Sequence, residues 1–237
     1  MAEQMVEVNR PNAMGATLVV TATPFELKPL LGASDGLTPM YQQPFRLGMG
    51  TGCWGLATGV GAAPTAHHLS WALAKGEFKQ VVNIGIAGSY SPYFVIGDVV
   101  VIGQDTFADY GVDCKGNFVS AFQHGLTHPN EPPYDDGWMF WPHSNRFPRA
   151  SHLPVVKGAT VATASGSEAI ISAISRRLDP DIETMEAAAV FFTCLMAGVP
   201  FICLRAISNR VEPRDASKWD IPLAVKNLSE QALQLIG

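Results

Sequence analysis

Glu26, Glu186, Arg205 and Asn209 are the side chains whose types and placement could do chemistry. Glu186 follows Met185 and opens an apolar run, Ala187-Ala188-Ala189-Val190. A carboxylate there could accept hydrogen bonds from sugar hydroxyls, with the Met185 thioether packed on the sugar face. Glu26 comes just after a first β-branched run, where a carboxylate partly withdrawn from water could activate a water molecule. Arg205 lies inside the apolar stretch Phe201-Ile202-Cys203-Leu204, where a charge is costly unless paired. Asn209 closes that stretch, and its amide could donate to N7 or O6 of a purine.

Each residue also has a plainer reading. Glu26 and Glu186 fit the first turn of a helix, where the dipole favours acids. Arg205 could belong to a structural ion pair. Asn209 is at home in a turn, and Met185 in a core. The stretch Gly85-Ile86-Ala87-Gly88-Ser89 reads as a tight turn that either merely connects or presents backbone groups to a substrate.

The elements that must position these groups follow from periodicity. Strands are expected at Thr17 to Thr23, Val81 to Ile84, Val99 to Ile102, Val155 to Ala164 and Pro200 to Ile207. A hairpin about Gly50 and Gly52 is expected from Arg46 to Thr58. Helices are expected from Phe25, from Gly61 to Lys75, from Glu168 to Leu178, from Glu186 to Ala197 and from Leu223 to Ile236. Asp113 to Pro154, rich in Pro, His, Asn and Trp, reads as a long loop serving as a lid or binding segment. Strands alternating with helices predict an α/β fold, a three-layer sandwich with a central mixed sheet. Residues 1–14 read as a flexible extension and 15–237 as one domain.

The 237 residues are 47% apolar and 16% charged, a globular composition with a sizeable core. The net charge of −5 and the lack of any Lys/Arg cluster argue against nucleic acid as a partner. No apolar stretch approaches the roughly 20 residues of a membrane span, so no membrane partner is expected. The N-terminal stretch, with Glu3, Glu7, Arg10 and Pro11, does not read as a signal peptide. Four cysteines without a Cys-x-x-Cys pair read as reduced thiols in a cytoplasmic protein. Adjacent His67 and His68 face different directions on a helix and cannot chelate together, so no metal is expected. Gly59-Val60-Gly61 lacks the third glycine of a dinucleotide fingerprint, and no cofactor is expected.

Taken in order, six stretches resemble the nucleoside phosphorylase and nucleosidase superfamily. They are Ala22-Thr23-Pro24-Phe25-Glu26, Thr58-Gly59-Val60-Gly61, Asn83 to Gly88, Gly97-Asp98-Val99-Val100, Met185-Glu186-Ala187-Ala188 and Arg205-Ala206-Ile207-Ser208. The run from Arg205 to Trp219 is similar, more specifically, to the futalosine hydrolase family of the alternative menaquinone pathway. The resemblance implies hydrolysis of the N-glycosidic bond of a small-molecule nucleoside by a homo-oligomer. It implies that Glu26 activates water with help from Arg205, that Met185 and Glu186 contact the ribose, and that Ala87 and Gly88 lie beside the sugar and base. It implies that Phe107 lines the site. Asn209 falls where methylthioadenosine nucleosidases carry an aspartate, which favours a 6-oxopurine over adenine. Superfamily phosphorylases place an arginine near the glycine stretch, whereas no Lys or Arg occurs here from Gln80 to Thr106, which favours water over phosphate. Trp138, Trp141, Arg146 and Arg149 of the long loop are the candidates for holding futalosine's aromatic carboxylate tail. The competing readings are a methylthioadenosine or adenosylhomocysteine nucleosidase, a purine nucleoside phosphorylase, and a nucleoside sensor without catalysis.

Overall fold

The computed structural model describes residues 15–30, 45–46 and 52–236. The expected extension 1–14 lies outside the described residues, as does the turn of the expected hairpin. The strands are β1 (Ala16–Thr21), β2 (Phe45–Arg46), β3 (Cys53–Ala57), β4 (Phe78–Ser89), β5 (Val99–Asp105), β6 (Gly111–Cys114), β7 (Asn117–Ser120), β8 (Met139–Phe140), β9 (Val155–Thr160), β10 (Ile182–Thr184) and β11 (Phe201–Arg210). The helices are α1 (Pro24–Leu27), α2 (Ala62–Lys75), α3 (Ala121–His124), α4 (Glu168–Leu178), α5 (Ala187–Ala197) and α6 (Ile221–Ile236).

The main sheet runs β10-β9-β5-β11-β4-β1-β3-β2, with β8 paired to β5. It is mixed: β3, β1, β4 and β11 are mutually parallel, while β5 lies antiparallel to β11. β10 pairs with β9 and also, antiparallel, with β4, so that end of the sheet curls back on itself. Period-two alternation sends Leu18, Val20, Phe201 and Cys203 into one core and Val19, Ile202 and Leu204 into another. Leu69 and Ala72 of α2 and Phe191 and Cys194 of α5 close the first. Ala224, Leu228 and Ala232 of α6 close the second, so the sheet lies between two helical layers, as expected. Phe191 and Phe201 meet edge to face at 4.8 Å in the first layer, a geometry worth about 1 kcal/mol beyond burial.

Two expectations fail. Gly85 to Ser89 is not a turn but the distal part of a twelve-residue strand, because β11 pairs with it throughout and β10 joins on the other side at Gly88 and Ser89. The segment 113–154 is not an irregular lid: it holds the β6–β7 hairpin, α3, β8 and two short 3-10 turns.

Candidate active site

Parallel β1, β4 and β11 all end on the same side of the sheet, and a cavity of about 350 Å³ opens there. Its walls include Glu26, Ala87, Gly88, Met185, Glu186 and Asn209. Six of the residues singled out from sequence thus share one space, although up to 183 positions separate Glu26 from Asn209. Arg205 does not line the cavity wall but lies beneath it, 1% exposed. Phe107 is brought elsewhere. The chain leaves β5 and crosses the end of β9, bridging to Thr160, which carries Phe107 to a second cavity with Tyr110, Tyr134 and Phe192.

Glu26 sits in the first turn of α1, 6% exposed. Its Oε2 accepts from the Thr23 backbone N–H at 2.9 Å and from the Thr23 hydroxyl at 3.0 Å. The plain capping role is therefore real, but it occupies one oxygen only. Burial pushes the carboxyl above its ordinary range; the Thr23 bonds pull it back, Glu186 pushes it further up, and Arg205 pulls it down.

Arg205 pairs in register with Gly85, so its side chain lies across a residue without one. Its Nη1 donates to the Leu204 carbonyl at 2.8 Å, while its Nε is buried without a partner. Among the described residues it forms no close ion pair, although its charge acts on Glu26 and Asp105. A Cβ placed on Gly85 would lie 3.4 Å from Arg205 Nε and 3.4 Å from Glu26 Oε1. A donor and an acceptor thus converge above Gly85, the arrangement that positions a water. Gly85→Ala would put a methyl group between them at ordinary contact distance. We expect kcat to fall about 100-fold, the cost of displacing a reacting atom by about 1 Å, with KM and the melting temperature nearly unchanged. Wild-type kcat in the purified variant would show that the two groups do not share a reactant.

Glu186 is the N-cap of α5, but its carboxylate does not cap that helix. Its Oε1 instead accepts from Gly61 N–H at 2.8 Å, an orphan donor at the start of α2. The capping of α5 passes to two threonines. Ala187 N–H donates to Thr184 Oγ1, Ala188 N–H to Thr160 Oγ1, and Thr160 Oγ1 to Asp105 Oδ1 at 2.9 Å. Burial pushes Asp105 up to about 7, against the pull of Thr160 and Arg205. This network leaves Glu186 free to face the cavity.

Asn209 follows a bulge at Ser208, which re-aims its side chain. The Ser208 hydroxyl donates to Asn209 Oδ1 at 2.8 Å, and Asn209 Nδ2 donates to the Arg210 carbonyl at 2.8 Å. A carbonyl can only accept, so the nitrogen must face Arg210, and one N–H of the amide is left over. Nδ2 lies 3.1 Å from where a Gly88 Cβ would be.

The expected tail residues are far from this space. Trp141 Nε1 donates to the Phe201 carbonyl at 2.6 Å, at the opposite end of β11. Eight residues of strand separate Phe201 from Asn209, roughly 26 Å. Arg149 donates to the Gln234 carbonyl near the end of α6, and the Trp138 ring lies under Lys157. Neither Arg146 nor Trp138 lines the cavity. The reason is packing: Trp141 and Phe147 serve the core beneath the sheet. Arg214 is the cation that does line the cavity, stacked 5.3 Å from the Trp219 ring. Lys79 stands near the start of β4, eight residues before Ala87.

Sequence reasoning missed Glu183, Ser165, Arg214 and Trp219 as cavity-wall residues. A signal existed for Glu183: it stands two residues before Met185, the spacing that puts strand side chains on one face. Among the described residues no three His, Cys, Asp or Glu side chains group to hold a metal, and no helix is long and apolar enough to cross a membrane. Cys194 and Cys203 are buried, whereas Cys114 is exposed.

The chain belongs to the phosphorylase superfamily, whose family model matches residues 17–236. Within it, the chain is similar to the futalosine hydrolase of Acidothermus cellulolyticus, at 32% identity over 225 residues, 93% of this chain and 89% of that one. The fold is that of futalosine hydrolase from Helicobacter pylori, with TM-score 0.73 at 18% identity over 94% of this chain and 97% of that one. It is equally that of the Streptococcus pneumoniae MTA/SAH nucleosidase, with TM-score 0.74 at 17% identity over 93% and 98%.

Proposed function

We propose that this protein hydrolyses the N-glycosidic bond of futalosine, giving hypoxanthine and dehypoxanthinylfutalosine in menaquinone biosynthesis. The observation that carries the reading is the convergence of Glu26 Oε1 and Arg205 Nε above Gly85, beside a cavity shared by Glu186 and Asn209. The 32% identity with a futalosine hydrolase supports the substrate.

In this mechanism Glu186 holds the ribose hydroxyls and stabilises the positive charge that develops as the sugar becomes oxocarbenium-like. Met185 packs on the sugar face, and Ala87 and Gly88 flank sugar and base. Glu26, with Arg205, orients a water and takes its proton as the water oxygen bonds to the anomeric carbon. The bond to the base nitrogen breaks, and its electron pair leaves with the base. The free N–H of Asn209 donates to the departing heterocycle, which then takes a proton from solvent. An amide has no proton to give up, so Asn209 acts by hydrogen bonding and not as a general acid.

Methylthioadenosine nucleosidase is the second reading, favoured by the fold match. A neutral amide at position 209 speaks against it, because adenine offers a donor at its exocyclic position where a 6-oxopurine offers an acceptor. Arg205 stands across from Gly85, but phosphorolysis lacks support from a second cation there: no Lys or Arg occurs from Gln80 to Thr106, and Lys79 stands near the start of β4. We place the enzyme in the cytoplasm and read it as a homo-oligomer. α5 is apolar all round, yet Phe192, which lines the Phe107 cavity, and Met196 remain exposed, a face suited to association. A monomer by light scattering would remove that part.

The test is incubation with futalosine, inosine and methylthioadenosine, with and without phosphate, and chromatography of the released base and sugar. Hypoxanthine from futalosine, independent of phosphate, is expected. Arg214 meeting the tail carboxylate should give futalosine a lower KM than inosine, which lacks the tail. Phosphate-dependent release, or adenine as the only product, would overturn the reading.

A further inference from the structure

Ala187 and Ala188 open α5, and their N–H groups have no partner inside the helix. An N-cap side chain ordinarily accepts from the second or third such N–H. Glu186 is the N-cap, so its own carboxylate is the natural acceptor for Ala188 N–H. Thr160 takes that bond instead: Ala188 N–H donates to its Oγ1 at 2.8 Å, and Ala187 N–H donates to Thr184 Oγ1 at 3.3 Å.

The protons of this network can be placed by counting. A hydroxyl has one proton to give. That of Thr160 goes to Asp105 Oδ1 at 2.9 Å, so Thr184 must be the donor across the 3.0 Å contact between the two threonines. Every bond then runs one way, from the N–H groups of α5 through two hydroxyls to Asp105. Asp105 is fully buried, and its Oδ2 has no partner. A proton on Asp105 would either sit on Oδ2 without an acceptor or displace that of Thr160 from Oδ1 and reverse the chain. The charged and titratable groups facing Asp105 are Arg205 and Cys203, both of β11. β9 contributes Gly158, where a Cβ would collide with Oδ2, and Thr160. β8 sets the apolar Met139 beside it in register, and α5 reaches it only by N–H groups through Thr160.

We propose that Asp105 is a positioning residue: as the last acceptor of this chain it keeps the first N–H groups of α5 occupied, so that the Glu186 carboxylate stays toward the cavity rather than capping its own helix. The inference rests on the role given to Glu186 above and deepens it. The ionised carboxylate is the form that ends the chain in this direction. Burial pushes the carboxyl up to about 7, so the chain should loosen, and kcat fall, as pH drops through that region.

The plainer role for Asp105 is to offset the buried charge of Arg205. Cutting the chain at Thr160 separates the two, since Asp105 then still faces Arg205. Thr160→Val should lower kcat about 100-fold, the cost of displacing a reacting group by about 1 Å, with KM changed less. Thr160→Ser, which keeps the hydroxyl, should restore most of it. Asp105→Ala should also lower kcat, and the double variant should be no worse than Thr160→Val alone, because both changes break one chain. The wild type should show an acid limb in kcat at about pH 7 that persists in Glu26→Gln and disappears in Asp105→Asn and Thr160→Val. A readout without substrate is the amide proton of Ala188, followed by NMR. It should move downfield as pH rises through about 7 in the wild type, and stay in place in Asp105→Asn and Thr160→Val. An Ala188 amide that does not titrate in the wild type overturns the proposal, whether or not any variant folds. So do wild-type kcat in folded Thr160→Val and losses that multiply in the double variant. If Ala188 titrates as expected but the wild type cleaves none of futalosine, inosine and methylthioadenosine, the chain to Asp105 stands and the nucleosidase reading has failed. If the wild type cleaves futalosine while Thr160→Val keeps its kcat, only the Asp105 assignment has failed.

Discussion

Glu26→Gln is expected to lower kcat by about 10²–10⁴-fold, the range for removal of a general base, with KM changed little. The substitution is nearly isosteric, and the amide oxygen can still accept from Thr23, so the turn around α1 should persist. The pH profile gives a second test. The working form of Glu26 is the carboxylate, and burial raises its pKa above 4.5. Activity should therefore fall as pH drops through that raised value, and this acid limb should vanish from the residual activity of the variant. The stability effect has the opposite sense. A carboxyl with a raised pKa in the fold favours folding fully below its unfolded pKa of about 4.3, and that contribution is lost as pH rises through the folded value. Glu26→Gln should accordingly be no less stable than the wild type at neutral pH, by denaturant titration. A folded variant with wild-type kcat would remove Glu26 from the mechanism as drawn, and an unfolded one would overturn the expectation that the turn around α1 persists.

Glu186→Ala is expected to cost at least about 10²–10³-fold in kcat, the range for removing a group aimed at developing charge. Unlike the Glu26 change it also has a structural cost. Gly61 N–H at the start of α2 would lose its acceptor, worth about 1 kcal/mol by analogy with a lost helix cap. Glu186→Gln isolates the two effects. Its amide oxygen can keep the Gly61 bond while the negative charge disappears. The expected pattern is a lowered melting temperature only in the alanine variant and a severe loss of kcat in both. If the glutamine variant retained turnover, the charge of Glu186 would have no part in stabilising the sugar cation.

Under this mechanism, function and folding share one side chain in each of these two acids. Each gives one oxygen to a backbone donor, and both residues line the cavity. The dipole reading and the catalytic reading of a first-turn acid are therefore compatible. The same division recurs at Asn209, whose oxygen is held by Ser208 and whose nitrogen keeps one N–H. Pre-set orientation of this kind limits the reorganisation needed when charge develops.

Much of the architecture was legible from local pattern. The helix from Glu168 to Leu178 is found as expected, and Glu186 stands one residue before α5 as its cap. The continuous apolar run from Phe201 to Leu204 announced a central strand, and the isolated charge of Arg205 announced a special environment. Local pattern misled where pairing across the sheet took over. Two glycines in a row of five read as a turn, yet pairing with β11, and with β10 at Gly88 and Ser89, holds Gly85 to Ser89 extended. Composition likewise misled at 113–154, where Pro, Asn and Trp suggested a lid but Trp141 is anchored beneath the sheet by its indole N–H.

The chain by itself determined which chemistry is possible, because side-chain type and the flanking apolar periodicity are local properties. It set two acids, an arginine and an amide at the ends or within the interiors of buried elements. Tertiary structure alone decided which of these meet. Strand order placed β1, β4, β10 and β11 side by side, and register set Gly85 against Arg205 and Gly88 between Asn209 and Glu183. Register depends on long-range hydrogen bonding between segments about 120 residues apart, as from Gly85 to Arg205, and no short window of sequence contains that information.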